Sequence, residues 1–459
     1  MLQRPGLERN AGQVTILRTP IRLYTRGDAI GPSCCRPLTG LVYFFFPAAP
    51  PPVLPFCFLG RHNAMQQALM QTYARLPVSF ERGEGAWLWD TDGNRYLDAL
   101  SGIAVCGLGH AHPAVTRALQ EQAERLLHTS NLYGIPLQEQ LAAKLCARSG
   151  MERVFFCNSG AEANEAAIKL ARLWGHRKGL ERPGILVMDN AFHGRTLATL
   201  TATGNRKAQA GFGPLVDGFV RVPFNDLEAV DAAARDHGNI VAVLAEPVQG
   251  EGGIRVGDVD YLKGLRERCD AHGWLLMFDE VQTGMGRTGS WFAYQQAGIV
   301  PDVLSLAKAL GNGMPIGASL ARGEAAELLQ PGSHGTTFGG NPLAARAGLA
   351  VVDTLERYAL AERAAELGER LQAGFRERMG ALPGVQDIRG RGLMLGIELD
   401  RPCGDLVKQA LAARLLINVT AERVIRLLPP LIISDDEADR IVDTVSDLVQ
   451  DFLASTADN

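Results

Sequence analysis

Cysteine is scarce in this chain. Eight occur in 459 residues, and no two form a C-x-x-C pair. That usage argues against a cysteine-held zinc site and against a disulfide framework, and it fits a reducing compartment, the cytoplasm. A basic excess is also missing. Lys and Arg number 46 against 50 Asp and Glu, so the formal charge of −4 leaves no electropositive footprint for nucleic acid. The most apolar stretch, LVYFFFPAAPPPVLPFCFLG, carries Pro47, Pro50, Pro51, Pro52 and Pro55. A spanning helix cannot absorb that many prolines, so no membrane anchor is expected. No nucleophile elbow is present either, because Ser159 lies in N-S-G-A rather than G-x-S-x-G. What remains, at 46% hydrophobic and 21% charged residues, is an ordinary globular enzyme composition, long enough for two or three domains.

Residues 1–64 differ from the rest. Six arginines from Arg4 to Arg36 face only Glu8 and Asp28. An Arg-rich, acid-poor leader resembles a transit peptide. The favoured reading is a mis-called start, with Met65 as the true first residue and the leader disordered, because the leader shows no amphipathic period. After it, Asp92-Gly93 between two β-rich runs signals a hairpin, and Pro113 opens a helical pattern. His110 and His112 are read as structural, not as metal ligands, since no third ligand is placed nearby. Short apolar runs at Val154–Cys157, Ile185–Met188, Ile240–Ala245, Trp274–Phe278 and Asp302–Ala307 alternate with polar loops and helical patterns. This is α/β organisation: a large domain with a mostly parallel sheet, residues 111–349. One long helical pattern follows from Leu343 to about Gly380. GLMLGIEL, VIRLLPPLII and a capping box at Ser434–Glu437 then mark a smaller α+β domain, residues 350–459, to which residues 65–110 contribute.

Two strand ends carry the chemistry. The run from Trp274 ends in Asp279-Glu280, and the run from Asp302 ends in Lys308. In an open α/β sheet, ligands sit outside the carboxyl ends of the strands. An acid that keeps a ring nitrogen protonated, beside a lysine able to form a Schiff base, is the minimal kit for pyridoxal phosphate. Taken singly, each is more ordinarily a cap, an ion-pair partner or an exposed residue. The pair gains weight from Asn158-Ser159-Gly160-Ala161-Glu162, which joins a strand to a helix and offers free N–H groups to a phosphate. Phe192, after another strand, offers a flat face. Gly284-Met-Gly286-Arg-Thr-Gly289 matches G-x-G-x-x-G, but Asp-Glu-Val-Gln-Thr separates it from its strand, so a nicotinamide dehydrogenase is set aside.

With these residues in view, the chain resembles the class III aminotransferases of the fold type I pyridoxal-phosphate enzymes, and most closely their acetylornithine group. The likeness covers about residues 72–455. It rests on LGHAHP, HTSNLY, FCNSGAEANEAAIKLAR, NAFHGRT, EPVQGEGG, FDEVQTGMGRTG, LAKALGNG and HGTTFGGNPLA. The resemblance implies that Lys308 is the Schiff-base lysine and proton shuttle, and that Asp279 pairs with the pyridine nitrogen. It implies phosphate contacts from Gly160 and Ala161, ring packing by Phe192 and Val281, a ring-hydroxyl contact from Gln282, and Glu280 among the cofactor contacts. Thr337 would reach the phosphate of the partner subunit in a homodimer, and Thr336 would border the substrate. Arg195 would hold the distal substrate carboxylate, Arg426 the α-carboxylate of glutamate, and Glu251 would pair with Arg426 when ornithine derivatives bind. Asn312 and Ala161 depart from the usual motif, which has glycine and threonine there. The implied reaction moves the δ-amino group of acetylornithine to 2-oxoglutarate. Ornithine, succinylornithine, succinyldiaminopimelate or 4-aminobutyrate as donor, or an aminomutase, are the alternatives.

Overall fold

The computed structural model describes residues 68–455, so the expectations for the leader, residues 1–64, lie outside the described residues. The chain up to Ala74 forms one unit and Arg75 onward another. Residues 68–74 are exposed and irregular. Everything below concerns the second unit.

A seven-stranded sheet runs in the order Arg153–Cys157, Gly317–Ala321, Val303–Leu306, Leu275–Asp279, Ile240–Ala245, Gly184–Met188, Phe219–Val222. All neighbouring pairs are parallel except those made by Gly317–Ala321, which runs against both neighbours. Every residue of Gly184–Met188, Ile240–Ala245, Leu275–Asp279 and Val303–Leu306 is buried. That is why these strands read as unbroken apolar runs instead of alternating ones. Leu276 and Phe278 retain no exposed surface. Burial of each such side chain contributes about 1.5–3 kcal/mol, and Phe278→Ala would cost about 3–5 kcal/mol.

Helix Gly160–Arg177 packs on this sheet through Ala163, Ala167, Ile168, Leu170 and Ala171. Small residues bring its axis close, and the Ser159 hydroxyl accepts the Glu162 N–H at 3.2 Å to start it. Helix Val259–His272 stops at Gly273, whose φ of 66° supplies the left-handed cap.

Two further sheets flank the large one in sequence. The expected hairpin pairs Trp87–Asp90 with Arg95–Asp98, and Gly93 takes φ 80° at its turn. Arg95–Asp98 also pairs in parallel with Leu415–Leu416, so the N-terminal hairpin is completed by the C-terminal part of the chain. The last sheet runs Val385–Arg391, Met394–Leu399, Val424–Leu427, Asn418–Thr420. Helix Asp435–Ser455 starts with the expected reciprocal capping box, Ser434 N–H to Glu437 Oε2 at 2.9 Å and Glu437 N–H to Ser434 Oγ at 3.2 Å. The long helical pattern from Leu343 divides in two, Pro342–Arg357 and Leu360–Met379, because Ala359 turns left-handed at φ 48° between them. No helix among the described residues is long and apolar enough to cross a membrane.

Candidate active site

The carboxyl ends of four strands of the large sheet open onto one cavity of about 390 Å³. Asn158–Ala161 reach it beyond Arg153–Cys157, Glu246 and Glu251 beyond Ile240–Ala245, Asp279, Val281 and Gln282 from the end of Leu275–Asp279, and Ala307-Lys308 beyond Val303–Leu306. Of the residues singled out in the sequence, Lys308, Asp279, Gly160, Ala161, Phe192, Val281, Gln282, Arg195 and Glu251 line it together.

Asp279 is 4% exposed and fully committed. Its Oδ2 accepts from Asn164 Nδ2 at 2.7 Å and lies 2.8 Å from His193 Nδ1, while Oδ1 accepts the Val281 N–H at 3.0 Å. Asn164 also donates to the His193 carbonyl at 2.8 Å. An anion so held has little freedom to swing, and its direction into the cavity is fixed. Asn164 and His193 were not singled out by the sequence reading. The available signal was spacing: Asn164 lies one turn beyond Gly160 on the same helix face.

Glu246 was also missed. It is 5% exposed, lines the cavity, and accepts the Phe192 N–H at 2.9 Å and the Gly250 N–H at 3.3 Å. Burial pushes its carboxyl up to about 7, against the pull of His193 and the two amides.

Lys308 sits in a left-handed turn at φ 45° directly after its strand, an unusual conformation for a non-glycine residue. The surface it retains is cavity surface. Burial pushes its amine down to about 8, and the charge of Arg426 acts in the same direction, while Glu251, Asp279 and Glu246 oppose it.

At the other end of the cavity, the first N–H groups of helix Gly160–Arg177 have no partner within the helix. A Cβ on Gly160 would meet Val281 Cγ1 at 2.7 Å, so glycine is what lets this helix start approach the Asp279–Gln282 loop. Arg426 is fully buried on its strand and pairs with Glu251 Oε1 at 2.7 Å. Arg195 is exposed at the rim, with Cζ 5.6 Å from the Phe192 ring centroid. No carboxylate pairs with it among the described residues.

Four residues named from the sequence stand outside this cavity lining: Arg426, which meets it through Glu251, and Glu280, Thr336 and Thr337. Glu280 is turned into the protein, bonded to Thr283 Oγ1 at 2.9 Å and to the N–H groups of Ala293 and Tyr294 at 2.8 and 3.0 Å. Its carboxyl is pushed up to about 7 by burial. It holds the loop behind Asp279 and does not face the cavity. Thr336 takes a 3.3 Å bond from Asn158 Nδ2, and Thr337 beside it is exposed.

The donor set suits a phosphorylated aromatic aldehyde. Asn164 Oδ1, His193 Nε2 and Gln282 Oε1 are buried around the cavity and lack a partner among the described residues. A helix start for a dianion, an aromatic face, an oriented carboxylate and an amine depressed toward neutrality surround one space. The family model for class-III aminotransferases matches residues 69–449, and the chain belongs to that family. It is a pyridoxal-phosphate-dependent aminotransferase of fold type I. It is 58% identical to a curated protein of Nitrosomonas europaea named acetylornithine aminotransferase, over 84% of this chain and 98% of that one. Among solved structures, the ornithine aminotransferase of Toxoplasma gondii superposes with a TM-score of 0.82 at 35% identity, covering 86% of this chain and 95% of that one. The acetylornithine aminotransferase of Elizabethkingia anophelis superposes with a TM-score of 0.76 at 34% identity, covering 85% and 98%.

Proposed function

We propose that this aminotransferase moves the δ-amino group of N2-acetyl-L-ornithine to 2-oxoglutarate, giving N-acetyl-L-glutamate 5-semialdehyde and L-glutamate, a step of arginine biosynthesis. We place it in the cytoplasm as a homodimer with shared active sites. Residues 111–349 would form the large cofactor-binding domain, and residues 350–459 with 65–110 the smaller one. The observation that carries the substrate reading is the Glu251–Arg426 pair at 2.7 Å on the edge of the cavity. A δ-amine donor brings no carboxylate next to its reacting nitrogen, so Arg426 needs an internal partner while that donor reacts. Glutamate brings an α-carboxylate, which can replace Glu251. The unpaired Arg195 at the rim suits the distant carboxylate of either substrate by a bidentate contact.

The cofactor supplies an electrophilic carbonyl and a protonated ring that accepts electrons. The chain supplies the rest. Asp279, oriented by Asn164 and His193, holds the proton on the ring nitrogen. Gly160 and Ala161 would offer N–H groups to the phosphate, and Thr337 of the partner subunit would complete that cradle. Phe192 and Val281 would pack against the ring and exclude water, and Gln282, whose Oε1 is free among the described residues, would reach its hydroxyl. Lys308, whose amine is depressed to about 8, would hold the cofactor and would serve as the base that takes and returns the proton at the substrate carbon. Thr336 borders the substrate space.

Ornithine is the second reading, favoured by the likeness to the Toxoplasma gondii structure. It differs by a free, charged α-amine where acetylornithine carries a neutral amide. Single-turnover half-reactions, followed by cofactor absorbance, separate the two. We expect acetylornithine to exceed ornithine and 4-aminobutyrate by at least about tenfold in kcat/KM. The reverse order would transfer the assignment to ornithine, and turnover without any keto acid would point to an aminomutase.

A further inference from the structure

The strand Asn418–Thr420 lies at the edge of the last sheet and pairs antiparallel with Val424–Leu427. Asn418 stands directly opposite Arg426 in the register, and Thr420 opposite Val424. Two residues apart on a strand, Asn418 and Thr420 present their side chains to the same face. Both reach the Glu251–Arg426 pair. Asn418 Oδ1 accepts from Arg426 Nε at 3.1 Å, and the Thr420 hydroxyl donates to the Glu251 carbonyl at 2.5 Å. One edge strand therefore holds the side chain of the arginine and the backbone of its acid.

The two members of the pair are held differently. Arg426 retains only 1% of its side-chain surface, whereas Glu251 retains 39% and lines the cavity. The main chain around Glu251 is anchored on both sides. Gly250 N–H donates to Glu246 Oε1 at 3.3 Å, and Arg389 donates to the carbonyls of Gly253 and Ile254 at 2.5 and 2.9 Å. A Cβ on Gly253 would meet Ala421 Cβ and Val424 Cγ2 at 3.3 Å, so glycine lets this loop lie on the hairpin that carries Asn418 and Thr420. With its backbone so held, Glu251 can leave Arg426 by turning its side chain alone. Asn418 then stays on the guanidinium. It occupies Nε and leaves the two Nη groups as a fork for a carboxylate.

We propose that Asn418 and Thr420 are positioning residues that set which carboxylate Arg426 takes: Asn418 holds the guanidinium for the α-carboxylate of glutamate, and Thr420 holds Glu251 on it while a δ-amine donor reacts. This rests on the exchange of Glu251 for glutamate proposed above. The two residues act on opposite halves of the reaction. Without Asn418, the guanidinium loses the anchor that outlasts Glu251 and meets an incoming carboxylate in poorer alignment. Asn418 is neutral, so it competes with neither Glu251 nor substrate for the charge of Arg426, and an acid in its place would. Without the Thr420 hydroxyl, Glu251 is less well placed, and Arg426 is left a buried charge without a partner during the donor half.

The test uses the cofactor-loaded enzyme, with single-turnover half-reactions and calorimetric binding of glutarate, a dicarboxylate without an amine. Asn418→Ala should slow the glutamate half-reaction at least about tenfold in kcat/KM, through weaker binding rather than a lower limiting rate, and should weaken glutarate at least about fivefold. Its acetylornithine half-reaction should change by less than about threefold. Thr420→Val should show the reverse preference, slowing acetylornithine at least about threefold and glutamate less. Asn418→Asp keeps the acceptor and adds a competing charge, so it should weaken glutarate at least about tenfold. Melting temperatures report folding, and should Asn418→Ala unfold, glutarate binding to Asn418→Asp decides. Equal slowing of both halves by Asn418→Ala, unchanged glutarate binding in Asn418→Asp, or a Thr420→Val variant that slows glutamate as much as acetylornithine each overturns the proposal. If the unaltered enzyme prefers ornithine, the donor reading alone fails, and the same comparisons are made with ornithine, whose δ end also carries no carboxylate.

Discussion

A charged amine enclosed by protein costs stability unless it gives up its charge, and Lys308 is such an amine. Its amine falls from 10.5 in the open chain to about 8 in the fold, chiefly through burial. The unfolded chain therefore binds more protons between these values, and stability rises with pH across that window. Below about pH 8 the penalty is fully present, with an upper bound of about 3 kcal/mol from the size of the shift, reduced by whatever water the cavity admits. For the cofactor-free protein, we expect Lys308→Met to melt higher than the unaltered chain at pH 7, with the gap closing toward pH 10. A gap independent of pH would mean that the amine is not depressed. Asp279→Asn should fold normally and lose at least about a hundredfold in kcat, measured with cofactor bound, because the ring proton is no longer held. Retained turnover would remove Asp279 from its proposed role. Asp279 and Lys308 were legible in the sequence because each ends an unbroken apolar run. Asn164, His193 and Glu246 were not, because what joins them to the site is a contact across 115, 86 or 54 positions of chain. Glu280 was over-read for the converse reason: adjacency to Asp279 does not say which way a side chain turns.

Between elements, the decisive contact joins the loop after Ile240–Ala245 to the strand Val424–Leu427. Glu251 reaches from the first and Arg426 from the second, with Asn418 Oδ1 also bonded to Arg426 Nε at 3.1 Å. Arg426→Ala should slow the glutamate half-reaction by about thirtyfold or more in kcat/KM, the effect of losing a charge-assisted contact in a closed site. The acetylornithine half-reaction should change much less, because Glu251 rather than substrate is the partner there. Arg195→Ala should damage both halves. Equal slowing of both by Arg426→Ala, measured in single turnovers, would sink this division of labour. The same comparison of elements shows where pattern reading works. Ile240–Ala245 and residues 275–278 were visible because these strand residues, buried on both faces, are all apolar and mostly large. Gly317–Ala321, the antiparallel member, is GASLA, too small and mixed to stand out, though it is wholly buried. Phe219–Val222 carries Arg221, whose guanidinium is spent on the carbonyls of Met188, Ala202, Thr201 and Thr203. The break at Ala359 escaped notice because no glycine or proline marks it.

At the scale of the whole molecule, one surface gathers several large apolar side chains. Leu132, Tyr133, Phe338 and Leu127 are 87%, 68%, 60% and 53% exposed. They are gathered by Asn131, which donates to the carbonyls of Thr336 and Gly339 at 3.2 and 3.1 Å, and by Gln138, which donates to the Gly340 carbonyl at 3.0 Å. The His128 and Phe338 rings lie 5.3 Å apart. A contiguous apolar surface of this kind marks an interface, and Thr337 stands exposed in its midst with no place in its own cavity lining. The proposed homodimer accounts for both facts: the patch is covered by a second copy, and Thr337 is presented to that copy's phosphate site. Light scattering should therefore give a dimer mass at micromolar concentration. Tyr133→Glu combined with Phe338→Glu puts two carboxylates into each half of the contact and should shift the protein to monomer. The resulting monomer should bind pyridoxal phosphate at least about tenfold more weakly, because one charge-assisted bond to the phosphate is missing. A monomeric unaltered chain would end the dimer proposal. A monomeric double variant with undiminished cofactor affinity would leave the dimer standing and remove Thr337 from the shared phosphate cradle.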